Sequence, residues 1–451
     1  MQWRVTEGRV NNEQIIVLGA GIGGLLAAGA VAPFFERVVV IEKDLLPDEL
    51  RPRKGVPQGP QVHAIIKRGE NAITGIFPNF PDRLAAAGGA IVDVGRGLHV
   101  FEGGGWHPRR DVGLTMFTQT RALLEQVIRD CLTRLGNVTL KTDCRFAGLD
   151  FSDQGAVSAV RIKAEGSKED SVIPADLVVD AMGRGSPLPM WLENHGYGSL
   201  RQSRTGIDVH YVTLHLQRPE AYKDAPNGWI IRPTGPTHKR GATMIAIEGQ
   251  RWLLTLVGRL GDTPPLDVEG CLEYAKTVEG GVLYDLIRDA EILMQPRRFK
   301  IPEALLKHFD EMESLPTGLL PLGDVIGTFN PLFAQGMTIA ALHAEILRDC
   351  LNDRPDSGDG WASLSRHYIT EALAVSKAAW QGAANADFVY PETEGQRPPD
   401  LAEQQKIRHA VRELMETDAL LHRDAIHVQQ MLLPSEILAR PEVLKKAGIP
   451  S

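Results

Sequence analysis

The chain has 451 residues, with 49 Lys+Arg against 57 Asp+Glu, a net charge of −8 and 43% hydrophobic residues. That length buries a large core and points to two domains, while the acidic balance disfavours nucleic acid or an anionic membrane as main partner. Cys131, Cys144, Cys271 and Cys350 form no C-x-x-C pair, which argues against a metal knuckle, a disulfide framework or a dithiol redox centre. The N-terminal stretch MQWRVTEGRVNNEQ lacks the basic-then-apolar pattern of a secretory signal, so a soluble, cytoplasmic protein is expected.

Ile15 to Leu18 read as a buried parallel strand that enters Gly19-Ala20-Gly21-Ile22-Gly23-Gly24 and an alanine-leucine helix. A second strand, Val38 to Ile41, ends in Glu42 and Lys43. This is G-x-G-x-x-G in a strand–turn–helix–strand setting: Gly19 for the tight turn, Gly21 for approach of a pyrophosphate, Gly24 for helix packing. The helix start favours phosphate, and Glu42 is placed to accept from an adenosine ribose, so an ADP moiety is the predicted ligand. Residues 15–35 carry no charge, but five glycines and Pro33 interrupt them, which excludes a membrane span.

Pro47, Pro52, Pro57 and Pro60 rule out a helix through the next connection. One or two of Arg51, Arg53 and Lys54 there turn toward the phosphates, or the three form a solvated basic loop. His63 is predicted to open the following helix, as a capping or core histidine and a candidate for the substrate pocket. Thr118 to Gly136 is amphipathic, with Leu123, Leu124, Val127, Ile128, Cys131, Leu132 and Leu135 on one face and Arg121 in the first turn. Short strands follow over 138–180. The last runs into Asp180-Ala181-Met182-Gly183-Arg184-Gly185-Ser186, where Gly183 suits a second close approach to a nucleotide.

Residues 187–300 are β-rich, with a predicted hairpin about Glu248-Gly249-Gln250, and show no Ser/His/Asp order and no metal-ligand spacing. Gly318 to Asp324 then reads as a strand delivering Gly323 and Asp324. Asn330 and Pro331 turn the chain toward Gln335-Gly336-Met337 and a long helix. Asp324 can reach a ribityl hydroxyl, and the helix start offers amides to negative charge. The tail from 358 is mostly helical with a break at 390–395. Its Trp380, Phe388 and Tyr390 read as packed aromatics.

The three motifs in this order (Gly19–Gly24 with Glu42; DAMGRGS at 180–186; LGD with NPLFAQGM at 322–337) resemble the FAD-dependent monooxygenases of the p-hydroxybenzoate hydroxylase fold. RKGVPQGPQVHA at 53–64 and ADLVVDAMGRGS at 175–186 look most like the branch with polyketide olefin epoxidases and related flavoprotein cyclases. The resemblance implies an α/β fold with an α+β second part. A Rossmann-like FAD-binding domain would span 1–186 and 300–357, a β-sheet substrate domain 187–299, and a helical C-terminal segment 358–451. It implies FAD on Gly19, Gly21, Gly23, Gly24, Glu42, Lys43, Arg53, Arg121, Gly183, Gly323, Asp324, Gln335, Gly336 and Met337. The substrate pocket would include His63, Trp229, Asn330 and Pro331.

The implied activity is epoxidation or hydroxylation of an apolar, polyketide- or terpenoid-like small molecule with O2, through a flavin C4a-hydroperoxide. The cofactor carries the hard step, so no catalytic side chain is singled out and no metal is expected. Relatives that bind NAD(P)H themselves usually carry Asp-Gly where this chain has Asp180-Ala-Met-Gly183. Electrons would come from transient NAD(P)H docking or from a partner flavin reductase. A cyclase using flavin without redox chemistry fits the same motifs. A flavin halogenase is the weaker alternative, since Gly228-Trp229-Ile230-Ile231-Arg232-Pro233 lacks the second tryptophan of that family's motif.

Overall fold

The computed structural model describes residues 13–223, 228–353 and 360–449. Most of the N-terminal stretch read for a secretory signal lies outside them, as does the boundary expected at 357/358. β1 (Gln14–Leu18) leads into α1 (Ile22–Val31) and returns as β2 (Arg37–Ile41). α2 (Arg121–Leu132) precedes β3 (Val138–Lys141), then come β4 (Leu177–Asp180), β5 (Leu319–Pro321) and α3 (Gly336–Asn352). The strands form a wholly parallel sheet in the order β5-β4-β1-β2-β3. Chain order therefore reverses beside β1, and the carboxyl ends of β1, β2, β4 and β5 open onto one crevice. Both faces of this sheet are covered, which is why Ile15 to Leu18 can be continuously apolar.

α1 is buried nearly all round rather than amphipathic, because it lies between the sheet and α3. α2 starts three residues later than its periodicity predicts. Thr118 closes the short strand Thr115–Thr118, and the Thr120 hydroxyl accepts from Leu123 N at 3.2 Å to cap the helix. Residues 42–66 are non-helical, as the prolines require. His63 does not open a helix: the next one is Lys67–Ile76, and Ile66 before it is still extended.

The second sheet has nine strands. Gln202–Gln217 lies between Ile292–Lys307 and Arg251–Arg259, and the order continues through Gly241–Ile247, Gly228–Ile231, Leu98–Glu102 and Gly105–Trp106. The hairpin at 248–250 is present, with Ile247 opposite Arg251 and Gly249 at φ +71°. Sheet membership crosses the sequence divisions. Leu98–Glu102 pairs with Gly228–Ile231, and Glu394–Gly395 with Thr205 and Gly206. Side chains alternate across this sheet. Trp229, Met244, Trp252 and Leu254 pack on helices Val268–Lys276 and Leu283–Ile287. The other face carries Ile245 and Leu253 against Val62, and Leu98, Val100 and Ile230 against Ala64. The tail helices Leu401–Leu414 and Ala419–Gln429 close over residues 98–112, through Arg110 to Met415 O at 2.8 Å and Arg412 Nε to Glu102 O at 3.1 Å.

Candidate functional site

The glycines of the first motif divide by what a side chain would meet. Gly19 has φ +97°, and a Cβ there would lie 2.6 Å from Ala181 O. A Cβ on Gly24 would lie 1.8 Å from Gly19 O, and one on Gly23 3.0 Å from Leu322 Cδ2, so Gly23 serves the packing of α1 rather than the crevice. Gly21 differs: it precedes α1, and the nearest atom to its missing Cβ is Arg53 Nη2 at 3.9 Å. Open space thus lies directly before the positive end of a helix.

Arg53 turns inward while Arg51, Lys54 and Lys43 are exposed. The Arg53 side chain bonds Glu125 Oε1 at 2.6 Å, Asp44 Oδ2 at 2.9 Å and Ala20 O at 3.1 Å, with Glu42 Oε2 at 3.2 Å. Glu42 is buried and accepts from Ala20 N at 2.8 Å and Asp44 N at 3.0 Å, so it braces the turn. Beside this cluster a cleft is lined by Arg51, Arg53, Arg121, Glu125, Gln126 and Arg129 among others.

The third motif converges from the opposite side. Burial raises the Asp324 carboxyl against the pull of Arg121, Lys307 and Arg184. The missing Cβ of Gly336, at the start of α3, lies 3.9 Å from Asp324 Oδ1. Gln335 Oε1 and Arg121 Nε are buried without a hydrogen-bond partner. Met337 packs partly buried on the core, and Gly183, at φ +77°, has open space where a Cβ would be. Open glycine faces, an unsatisfied guanidinium nitrogen and a carboxylate beside a helix start fit the phosphates and polyhydroxyl chain of a flavin dinucleotide.

No protein-family model matches the chain. Protein Rv3254 of Mycobacterium tuberculosis is 30% identical over 378 residues, 80% of this chain and 78% of that protein. Kynurenine 3-monooxygenase of Salinispora arenicola is 23% identical over 384 residues, again 80% and 78%. Among solved structures, the p-nitrophenol 4-monooxygenase PnpA of Pseudomonas putida superposes with TM-score 0.64 at 15% identity, covering 93% of this chain and 99% of that one. PqsL of Pseudomonas aeruginosa gives 0.63 at 15% (88% and 98%), and the flavin-dependent brominase Bmp2 0.60 at 14% (93% and 99%). The chain is a relative of Protein Rv3254 and has the fold of the FAD-dependent monooxygenases of the p-hydroxybenzoate hydroxylase type.

Within this fold the four residues expected to form the substrate pocket do not meet. His63 packs near Arg121, with its Nδ1 2.9 Å from Gln61 O; burial and the Arg121 charge lower its pKa to about 3, so the ring is neutral. Trp229 projects from the other face of the sheet, stacked on His99 at 5.1 Å and edge-on to Trp252 at 5.6 Å. Asn330 is fully buried and donates to Asp387 Oδ1 at 2.7 Å, which also takes Arg259 Nη2 at 2.6 Å. Pro331 is exposed. Strand alternation separates His63 from Trp229, and Asn330 is engaged by the buried Asp387 network.

The crevice also rests on groups that the motifs do not announce. The fully buried His343 accepts from Gly323 N at Nδ1 (3.0 Å) and bonds Ala372 O and Ser376 Oγ at Nε2 (both 3.0 Å). It thereby ties the Gly323-Asp324 turn to α3 and the helix Gly360–Asp387. Burial lowers its pKa to about 4. Asp180 accepts from Ser186 Oγ at 2.5 Å and Met182 N at 2.9 Å, and burial raises it to about 6. Glu125 could have been read from its i,i+4 spacing to Arg121. His343 and Lys307 carry no such local signal.

Proposed function

We propose that the protein is an FAD monooxygenase that epoxidises or hydroxylates an apolar, polyketide- or terpenoid-like small molecule. The observation that carries this reading is the apolar wall beyond the cleft: Ala64, next to His63, packs with Leu98, Val100 and Ile230. Hydrocarbon, not charge, borders the segment that leaves the cofactor cleft. FAD, when bound, supplies the redox and oxygen-transferring chemistry. The amides at Gly21 and the α1 start would take the pyrophosphate, Arg121 would neutralise it, and Asp324 would accept from a ribityl hydroxyl. The amides of Gln335, Gly336 and Met337 would face the negative charge of the reduced ring. The neutral His63 ring and the tail helices would keep water from the reacting centre.

Electrons would come from NAD(P)H or a separate flavin reductase. Among the described residues no helix is long and apolar enough to cross a membrane, and we read the enzyme as cytoplasmic. The cyclase reading is favoured by one feature, the Asp180-Ala-Met-Gly183 departure, where Asp180 is spent on its own turn.

Purified protein loaded with FAD, a reductant and a panel of olefinic polyketides and terpenoids is treated with isotopically labelled O2. Incorporation of one labelled atom is expected. Turnover with no mass change and no need for reductant would overturn oxygenation in favour of cyclisation, and a chloride- or bromide-dependent product would favour halogenation.

A further inference from the structure

At the free end of the nine-stranded sheet, Leu98–Glu102 and Gly105–Trp106 form the last antiparallel pair, with Phe101 opposite Trp106. A cavity of about 270 Å³ opens there, lined by His99, Trp106, His107, Arg109, Trp229 and Val282. That volume lies just below the usual range of small-molecule pockets, roughly 300–1,000 Å³, and suits a ligand of one or two rings. His99 and Trp229 project from the sheet face opposite the one that meets Val62 and Ala64, so the cavity is separate from the cofactor cleft.

Its chemistry is specific. His99 stacks face to face on Trp229 with 17° between planes, and Trp106 lines the same cavity. His99 Nε2 is buried with no hydrogen-bond partner. His107, whose side chain is 6% exposed, holds Nε2 3.5 Å from Glu102 Oε2, too long for a strong bond. Burial and the neighbouring Arg109 charge lower the His99 pKa, so a neutral ring offers its nitrogen beside a guanidinium. Unsatisfied imidazole nitrogens in an aromatic cavity rimmed by a cation match a flat ring carrying an acid.

We propose that this cavity is a second small-molecule site that takes a planar aromatic carboxylate, with the ring against Trp106 and Trp229 and the acid toward Arg109 and the histidines. The site acts independently of the flavin cleft and can hold a product or effector while the cleft is occupied.

The test titrates 2-naphthoate into the full-length protein, with and without FAD, and follows tryptophan fluorescence. Saturable binding to one site is expected, unchanged by FAD and weakened about tenfold or more for uncharged 2-naphthamide. Arg109→Ala, at an exposed position, and His99→Leu should each weaken it about tenfold, with unaltered far-UV circular dichroism and unaltered FAD binding. Absence of saturable binding, binding untouched by Arg109→Ala and His99→Leu, or displacement of the probe by FAD would each overturn the proposal. The last outcome would put the aromatic acid in the cofactor cleft instead.

Discussion

The parallel sheet and the nine-stranded sheet assemble their functional residues differently. Around the cleft, Gly19 and Glu42 directly follow a strand, Asp180 ends one, and Gly323 comes two residues after another; all four strands end at the same edge, so backbone geometry delivers these residues. In the larger sheet, the cavity gathers residues 99, 106–109, 229 and 282, and the buried polar network gathers Arg259, Asn330 and Asp387. No short stretch contains either set. The first region depends on a few positions where no side chain fits, the second on partners that arrive from far along the chain, and the two should fail in different ways.

The largest effect is expected in the second region. Asp387→Ala leaves Arg259, 5% exposed, and the buried Asn330 amide without their shared acceptor, and should cost about 3–5 kcal/mol in denaturant unfolding. Arg259→Leu combined with Asp387→Leu should recover part of that loss, because no uncompensated charge remains buried. A loss under about 1 kcal/mol in the single variant would show that water replaces the carboxylate.

In the first region Gly24→Ala should cost about 3 kcal/mol or more, since the added Cβ meets Gly19 O at 1.8 Å and the turn cannot yield without losing the Leu25 N to Gly21 O bond at 2.9 Å. Unfolding curves that overlay the parent would remove the packing role given to this glycine.

Acid should weaken both regions through buried imidazoles. Burial holds His343 behind the Gly323 turn at about 4 and His63 beside Arg121 at about 3, and it holds His422, on the tail helix, at about 4. The unfolded chain takes up these protons first, so stability is complete above pH 6.5 and is lost as pH falls toward 4, by up to about 3 kcal/mol per ring. Asp180, raised to about 6 by burial, acts oppositely: its contribution is complete below pH 3.8 and is lost as pH rises through 6. Urea unfolding from pH 7 to pH 4 should therefore show a net decline, flatter in His343→Asn and steeper in Asp180→Asn. A decline of equal slope in all three proteins would dismiss these groups as its source.

The smallest change in stability belongs to Gly21→Ala, within about 1 kcal/mol, because nothing lies closer than 3.9 Å to the new methyl. Its effect should fall on the cofactor instead, with flavin occupancy reduced in the purified protein. A fully occupied Gly21→Ala protein would move the pyrophosphate away from this turn.

Much of this arrangement is written locally. Ile15 to Glu42 carries strand, turn, helix and second strand in consecutive residues, and Asp324 and Gly336 stand in one short motif. Periodicity and glycine spacing suffice there because each element is shaped by its own backbone and its immediate successor. The helix at 118–136 was legible as a helix, but its start belonged to the Thr120 hydroxyl, whose capping bond periodicity does not encode. The pocket reading failed at Trp229 and Asn330 for a different reason. Which face of a strand a residue takes depends on register against distant strands, and Asn330 finds Asp387 only after a long helix has folded back. By itself the sequence determined the nucleotide crevice and the motifs that border it, since strand, turn and helix start follow one another within a few residues. Only the tertiary structure decided that Arg53 turns inward while Arg51 and Lys54 stay in solvent, that His343 holds the Gly323 turn, and that Trp229 faces away from His63. Each of those outcomes is set by contacts between segments whose separation along the chain leaves no local pattern to read.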